Sequence, residues 1–286
     1  MHTELADVAA RLGLRASVGG VFCHQTPRVK SPLWRRGCEL GDLLVVVQFM
    51  PHASGTPRSN ALLLQFKIGD LRMNATDPQT SLYLSWPTFR ITRGYANGER
   101  SRDWSVSAPA PHVGAQYSVI DAANNAVSAV PVCECLDPQC TSRPLAWELT
   151  DTMSFGSGRE FHGAGPSSHA SDWNELVWHL LKQTVRQRLT LKSSGVAPRG
   201  YPRGTGSSLC LLRSFDGVPP VLLAAAPELK DVWDDLQQED NEFWGSFEDS
   251  EPPANDDLRL PGGDGGDGGV SVLVVTLSIA DAERPE

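Results

Sequence analysis

Gly41-Asp42-Leu43-Leu44-Val45-Val46-Val47-Gln48-Phe49 and Ala61-Leu62-Leu63-Leu64-Gln65-Phe66-Lys67 are two apolar runs separated by Pro51 to Asn60, a stretch rich in Pro, Gly, Ser and Asn. Short apolar runs bounded by turn residues read as strands, and two in succession read as an antiparallel hairpin. The start of the first strand then lies beside the end of the second, which brings Asp42 next to Gln65 and Lys67. Side chains alternate along a strand, so Gln65 and Lys67 share one face while Leu64 and Phe66 take the other. An acid, an amide oxygen and a lysine are thereby predicted to converge at one end of the hairpin. Apolar hairpins flanked by polar residues are common, so this convergence alone does not name a chemistry.

Downstream, Asp77-Pro78 reads as an N-cap followed by a proline at the first helical position. Gln79, Leu82, Tyr83 and Trp86 fall on one face of the helix that follows, and Pro87 ends it. Together these elements resemble the PD-(D/E)xK nuclease superfamily. Gly41-Asp42 stands where that family has Pro-Asp, and Gln65-Phe66-Lys67 stands where it has an ExK triplet. The glutamine is a departure, in a QxK form that occurs in the Mrr-like branch. Gln79 and Tyr83 fit the QxxxY pattern of RecB-like and phage-exonuclease-like members. The resemblance covers roughly the first third of the chain, and each motif is short. Their order and spacing carry it.

The resemblance implies an α/β fold with a restriction-endonuclease-like core, an α-β-β-β-α-β mixed sheet, here with C-terminal helical and irregular additions. Thr3 to Leu12 is the expected first helix, Val18 to Cys23 the first strand and Tyr117 to Asp121 the fourth. It also implies a Mg²⁺ (or Mn²⁺) site, since such ions prefer oxygen ligands and can activate water against a phosphodiester. Asp42 would be the central carboxylate. Gln65 would offer a neutral oxygen, and the backbone carbonyl of residue 66 would join as in relatives. Either Glu39 or Glu4 would supply a further acid. Lys67 would orient the water or stabilise the phosphate, and Gln79 and Tyr83 would position substrate. Arg35, Arg36, Arg90 and Arg93 would hold the nucleic-acid backbone without reading sequence. The implied activity is cleavage of DNA, or RNA, in a bacterial restriction or anti-phage setting. Two other readings stand beside it: a nuclease-like subunit that binds nucleic acid or a protein partner without cutting, and an accessory protein of unrelated fold.

Net charge is −9, which at first sight disfavours a nucleic-acid partner. The distribution changes that inference. Residues 217–286 hold three basic and seventeen acidic residues, a net of −14, leaving +5 for residues 1–216. One part of the chain is thus suited to phosphate contact and the other to partner binding, self-masking or simple solvation. No apolar stretch reaches membrane-spanning length, so no membrane partner is expected. The first residues lack signal-peptide character, and the six cysteines are scattered, so a cytoplasmic protein with reduced thiols is expected.

Four regions follow: a nuclease-like core at 1–125, a helix- and loop-rich extension packing on it at 126–227, an acidic and partly flexible segment at 228–269, and a C-terminal strand and tail at 270–286. Within the extension, 126–170 reads as irregular. Asp172 and Glu175 fit a capping box ahead of an apolar stripe from Leu176 to Leu189. Trp233, Leu236, Phe243, Trp244 and Phe247 lie among the acids of 228–257 and suggest a docking segment for a protein partner. Cys133, Cys135 and Cys140 are candidates for a structural Zn²⁺, with Cys23, His24, Cys38 or His112 as a fourth ligand, although the spacing is not that of a paired knuckle. Free thiols in a loop are the competing reading. The glycine-rich stretches at 156–158 and 163–165 lack a P-loop lysine and read as loops, with Arg159 and His162 available to phosphate.

Overall fold

The computed structural model describes residues 14–22, 27–51, 57–93, 102–106, 114–133, 135–138, 142–162, 172–182, 209–211 and 271–279. Strand β1 is Leu14–Phe22, β2 Arg28–Lys30 and β3 Cys38–Glu39. The two apolar runs form β4, Leu43–Met50, and β5, Arg58–Ile68. Helix α1 spans Pro78–Ser85 and is followed by β6, Phe89–Arg93, β7, Asp103–Trp104, β8, Ala115–Asp121, and β9, Ala126–Pro131. Then come β10, Arg143–Pro144, α2, Leu145–Met153, and β11, Arg159–Phe161. Helix α3 covers residues 173–182, and β12, Leu209–Leu211, and β13, Ser271–Ile279, complete the set.

The larger sheet runs β10-β9-β8-β5-β4-β13-β1-β12, with β11 also on β5, and the smaller runs β3-β2-β6-β7. Strands β4 and β5 are antiparallel with Leu43 opposite Leu64. After α1 the chain returns as β8, parallel to β5, with Gln65 opposite Tyr117. On the other side β13 runs parallel to β4, with Ser271 opposite Leu43. Parallel neighbours buried on both faces call for unbroken apolar runs, and that is how β4 and β5 read.

Alternation sorts those runs onto two cores. Leu44, Val46, Ala61, Leu63 and Val274 face a large cluster with Leu82 and Tyr83 of α1, Val29, Phe89 and Ile91 of the small sheet, and Trp173, Val177 and Leu180 of α3. Val45, Val47, Leu62, Leu64 and Val275 face a smaller one covered by Leu145, Leu149 and Met153 of α2. Asp77 caps α1 by accepting from Thr80 N, and Trp86 closes it in the left-handed region at φ 44. For α3, Asp172 Oδ1 accepts from Glu175 N at 3.1 Å, as the capping box predicts. The Glu175 carboxylate does not close the box; it pairs with Arg102.

The α/β class and the fourth strand agree with the sequence reading. Three expectations are corrected. The first strand covers most of the expected span but begins earlier, at Leu14, and lies between β13 and β12. Residues 126–170 are not irregular throughout, since β9, β10, α2 and β11 lie there. Residues 156–158 form the expected loop, but Arg159, expected on it, begins strand β11 opposite Ala61. The first helix with Glu4, residues 183–189 of the apolar stripe and the acidic segment 228–269 lie outside the described residues. Among the described residues, no helix is long and apolar enough to cross a membrane.

Candidate functional site

Asp42 enters the site by backbone pairing, its N–H donating to Leu64 O at 2.8 Å. The preceding Gly41 is packed so closely that a Cβ would stand 2.7 Å from the Leu63 side chain. Only glycine lets the loop lie flat enough to set Asp42 at the head of β4. There the Asp42 carboxylate accepts from Phe66 N at 2.7 Å and from the Gln65 side-chain amide. The same Gln65 Nε2 lies 3.5 Å from Glu39 Oε2. Gln65 is 2% exposed, and its Oε1 is buried without a hydrogen-bond partner. Lys67 lies two residues on, its Nζ 5.9 Å from the centre of the Tyr117 ring. Asp42, Gln65, Lys67 and Glu39 are thus brought to one end of the hairpin, on the face of the larger core.

Electrostatics single out Asp42. Burial pushes its carboxyl up to about 6, and the neighbouring Glu39 charge pushes the same way. The Phe66 N–H, Lys67 and Gln65 pull against this without cancelling it. A carboxyl poised in this range, held by named donors at the end of a sheet, is typical of functional sites.

Gln79 and Tyr83 have another task than the expected contact with substrate. Gln79 Nε2 donates to Glu39 O at 2.8 Å, and Tyr83 OH donates to Leu40 O at 2.7 Å. Tyr83 is fully buried, and burial holds its hydroxyl well above the ordinary tyrosine range. Helix α1 therefore clamps the backbone between Glu39 and Asp42. Its polar face supports the acids from beneath.

The other candidates lie elsewhere. Arg35 and Arg36 are exposed in the turn between β2 and β3, and Arg90 pairs with Asp103. Arg93 ends β6, and Arg159 and His162 sit beside the N-terminal half of β5. Residues 61 and 67 are about 20 Å apart along a strand, so that loop does not reach Lys67. The sulfurs of Cys133 and Cys135 are bonded to each other, and Cys140 lies outside the described residues. Cys38 is half-buried in β3, and burial pushes its thiol up to about 12. Cys23, His24 and His112 are outside the described residues.

Sequence reasoning passed over a second buried polar cluster, on the opposite face of β8. Glu148 on α2 is 0% exposed and accepts from Gln116, Ser157 and Arg143, whose guanidinium also reaches Asp151 at 2.6 Å. Its signal was Glu148 lying within the apolar stripe Leu145, Leu149, Met153. Every bond of the Glu148 carboxylate runs to the protein itself, so the cluster fastens α2 to the sheet.

The cluster at Asp42 holds two carboxylates, the kind of oxygen ligand that a hard divalent cation prefers, but it is the Gln65 amide nitrogen that faces them, while the amide oxygen is buried without a partner. It is poorer in charge than most such sites; among the described residues no three His, Cys, Asp or Glu side chains gather. No protein-family model, no curated protein and no solved structure matches the chain.

Proposed function

We propose that the protein is a metal-dependent nuclease that hydrolyses phosphodiester bonds of DNA or RNA. The observation that carries this reading is the meeting of Asp42, Glu39, Gln65 and Lys67 at one end of the β4–β5 hairpin. A crossover that includes α1, and also β6 and β7 of the small sheet, leads to a strand parallel to β5, which is compatible with the helical crossover the resemblance implies. Asp42 and Glu39, joined by the Gln65 oxygen once that amide turns over, would hold a Mg²⁺ or Mn²⁺ ion, which when bound supplies charge neutralisation and an acidified water. Lys67 shares the face of Asp42 and would hold the charge of the scissile phosphate. The clamp from Gln79 and Tyr83 fixes the loop bearing both acids, which keeps them oriented without reorganisation when substrate arrives. DNA is the first substrate to test, and a restriction or anti-phage role is the setting the resemblance suggests.

The test is cleavage of labelled single- and double-stranded DNA and RNA with Mg²⁺, Mn²⁺ or EDTA. Asp42→Asn and Lys67→Ala should each lower the rate at least a hundredfold with folding intact. Equal rates in wild type and both variants would sink the reading.

One observation favours a second reading, a nuclease-like subunit that binds without cutting. The Gln65 amide donates toward both acids, so the cluster is closed by its own hydrogen bonds without a cation. Cation-independent folding and no cleavage under any condition, with nucleic acid still bound, would favour it.

A further inference from the structure

The small sheet has one dry face and one wet face. Val29, Phe89, Ile91 and Trp104 point into the core. Between them, Arg28, Lys30, Arg90 and Thr92 fall on the other side, with Lys30 directly opposite Arg90. The turn from β2 to β3 adds exposed Arg35 and Arg36. This turn is fixed in place. Trp34 is 8% exposed, its N–H donates to Ser31 O at 3.1 Å and its Nε1 to Ser81 Oγ at 3.3 Å, while Arg28 donates to Gly37 O at 3.0 Å. Lys30, Arg35 and Arg36 form no ion pair among the described residues. The acids in these strands and the turn are Asp103, paired with Arg90, and Glu39.

Glu39 makes the placement informative. It stands opposite Arg28 in the small sheet, and its carboxylate also lies 3.5 Å from the Gln65 amide. Glu39 therefore joins the small sheet to the Asp42 site. Resting on the nuclease reading, we infer that the wet face is the surface that grips the nucleic-acid backbone and leads it to Asp42. Lys30, Arg35 and Arg36 are the principal phosphate contacts. Cations held on a pinned turn lose little freedom on binding, and phosphates are the ligands that unpaired Arg and Lys side chains recognise by charge and hydrogen bonding. The contact carries no base information, so binding is insensitive to sequence.

The experiment uses the full chain in EDTA, so that binding is read without cleavage. Fluorescent 30-nucleotide DNA and RNA probes, single- and double-stranded, are titrated with wild type and with Lys30→Glu/Arg35→Glu/Arg36→Glu. A Lys30→Gln/Arg35→Gln/Arg36→Gln variant with wild-type melting guards against misfolding. Affinity should fall at least tenfold in both variants. The slope of log affinity against log salt should flatten by about 0.9 for each lost phosphate contact on duplex DNA. Unchanged affinity and slope overturn the inference. So does capture of phosphatidylserine vesicles by the wild type with no probe bound. Cleavage by the wild type in Mn²⁺, with binding unaffected in the triple variants, discards this surface and leaves the nuclease reading standing. Binding lost in the variants, with no cleavage by the wild type, supports the surface and removes the nuclease.

Discussion

The Gln65 side-chain amide donates to the Asp42 carboxylate across the β4–β5 hairpin, and the neighbouring Phe66 N–H donates to the same oxygen at 2.7 Å. Two donors fix the carboxylate's orientation, and one of them leaves its own buried oxygen unpartnered. An unsatisfied buried acceptor costs stability unless something occupies it. The cluster is therefore held together by its glutamine, which keeps one buried acceptor unsatisfied.

Gln65→Glu tests this balance. Without cation, a third carboxylate replaces a donor, so the variant should melt below wild type. With Mn²⁺ the order should reverse, because the added charge raises cation affinity by roughly tenfold or more. Thermal melting across a Mn²⁺ titration reads both effects. A variant that melts lower and gains nothing from Mn²⁺ would show that the acids do not share a cation.

Asp42 makes stability depend on pH. Its carboxyl titrates at about 6 when folded, against 3.8 for an unperturbed aspartate. Well below its unfolded value of 3.8 it is protonated in both folded and unfolded chains and costs nothing. As pH rises from 3.8 to about 6 the unfolded chain gives up the proton while the folded chain keeps it, so stability falls across that window, by about 1 to 2 kcal/mol once solvent screening is allowed for, and levels off above it. Asp42→Asn keeps an acceptor for Phe66 N–H and removes the charge. Its melting temperature should match wild type at about pH 3, below the unfolded value, and exceed it by a few degrees at pH 7. A gap that is the same at both pH values would mean that burial of the charge is not the cause.

Tyr83→Phe probes the clamp. The hydroxyl satisfies the Leu40 carbonyl in a site with no exposure, so its loss should cost about 1 to 3 kcal/mol. Because Gln79 holds the adjacent Glu39 carbonyl, Gln79→Ala and Tyr83→Phe should not add when combined. Cation affinity should fall in both single variants as the loop bearing Glu39 loosens. Additive melting losses with unchanged cation binding would reduce α1 to plain packing.

The hairpin was legible because both its strands are buried on two faces, which leaves an unbroken apolar run in the sequence. The caps at Asp77 and Asp172 were legible because their short polar side chains accept backbone N–H groups. The site followed from these local signals, as Asp42 and Gln65 are joined by one turn. What escaped was nonlocal or too short to show a period. Strands Arg28–Lys30 and Cys38–Glu39 are too brief for alternation to register. Helix α2 hides its stripe behind three threonine and aspartate residues, Thr150, Asp151 and Thr152, which favour helices weakly. The insertion of β13 between β1 and β4 is a choice among similar apolar strands, and no local feature records it. The tasks of Gln79 and Tyr83 were hidden for a related reason. Sequence placed them on the right face of α1, but only tertiary packing shows that this face meets the Glu39–Leu40 backbone.

Glu148 allows fold and function to be separated. Its carboxylate is fully buried and joins Arg143, Gln116 and Ser157 behind β8, on the face opposite Asp42. Glu148→Ala leaves Arg143 without its buried partner and strips a bond from Gln116, whose Oε1 is already unpaired. Arg143 is partly exposed and keeps Asp151, so the main cost is the unsatisfied Gln116 and Ser157, about 1 to 3 kcal/mol, and the melting temperature should drop by several degrees. Gln116 and Tyr117 are adjacent on β8 and point to opposite faces, and only Tyr117 lies under Lys67. At a temperature where the variant remains folded, its cation affinity and its binding of nucleic acid should therefore match wild type. Isothermal titration with Mn²⁺ well below the melting transition makes the comparison. A variant that stays folded but loses cation binding would mean that the two faces of the sheet are coupled, and that α2 belongs to the site.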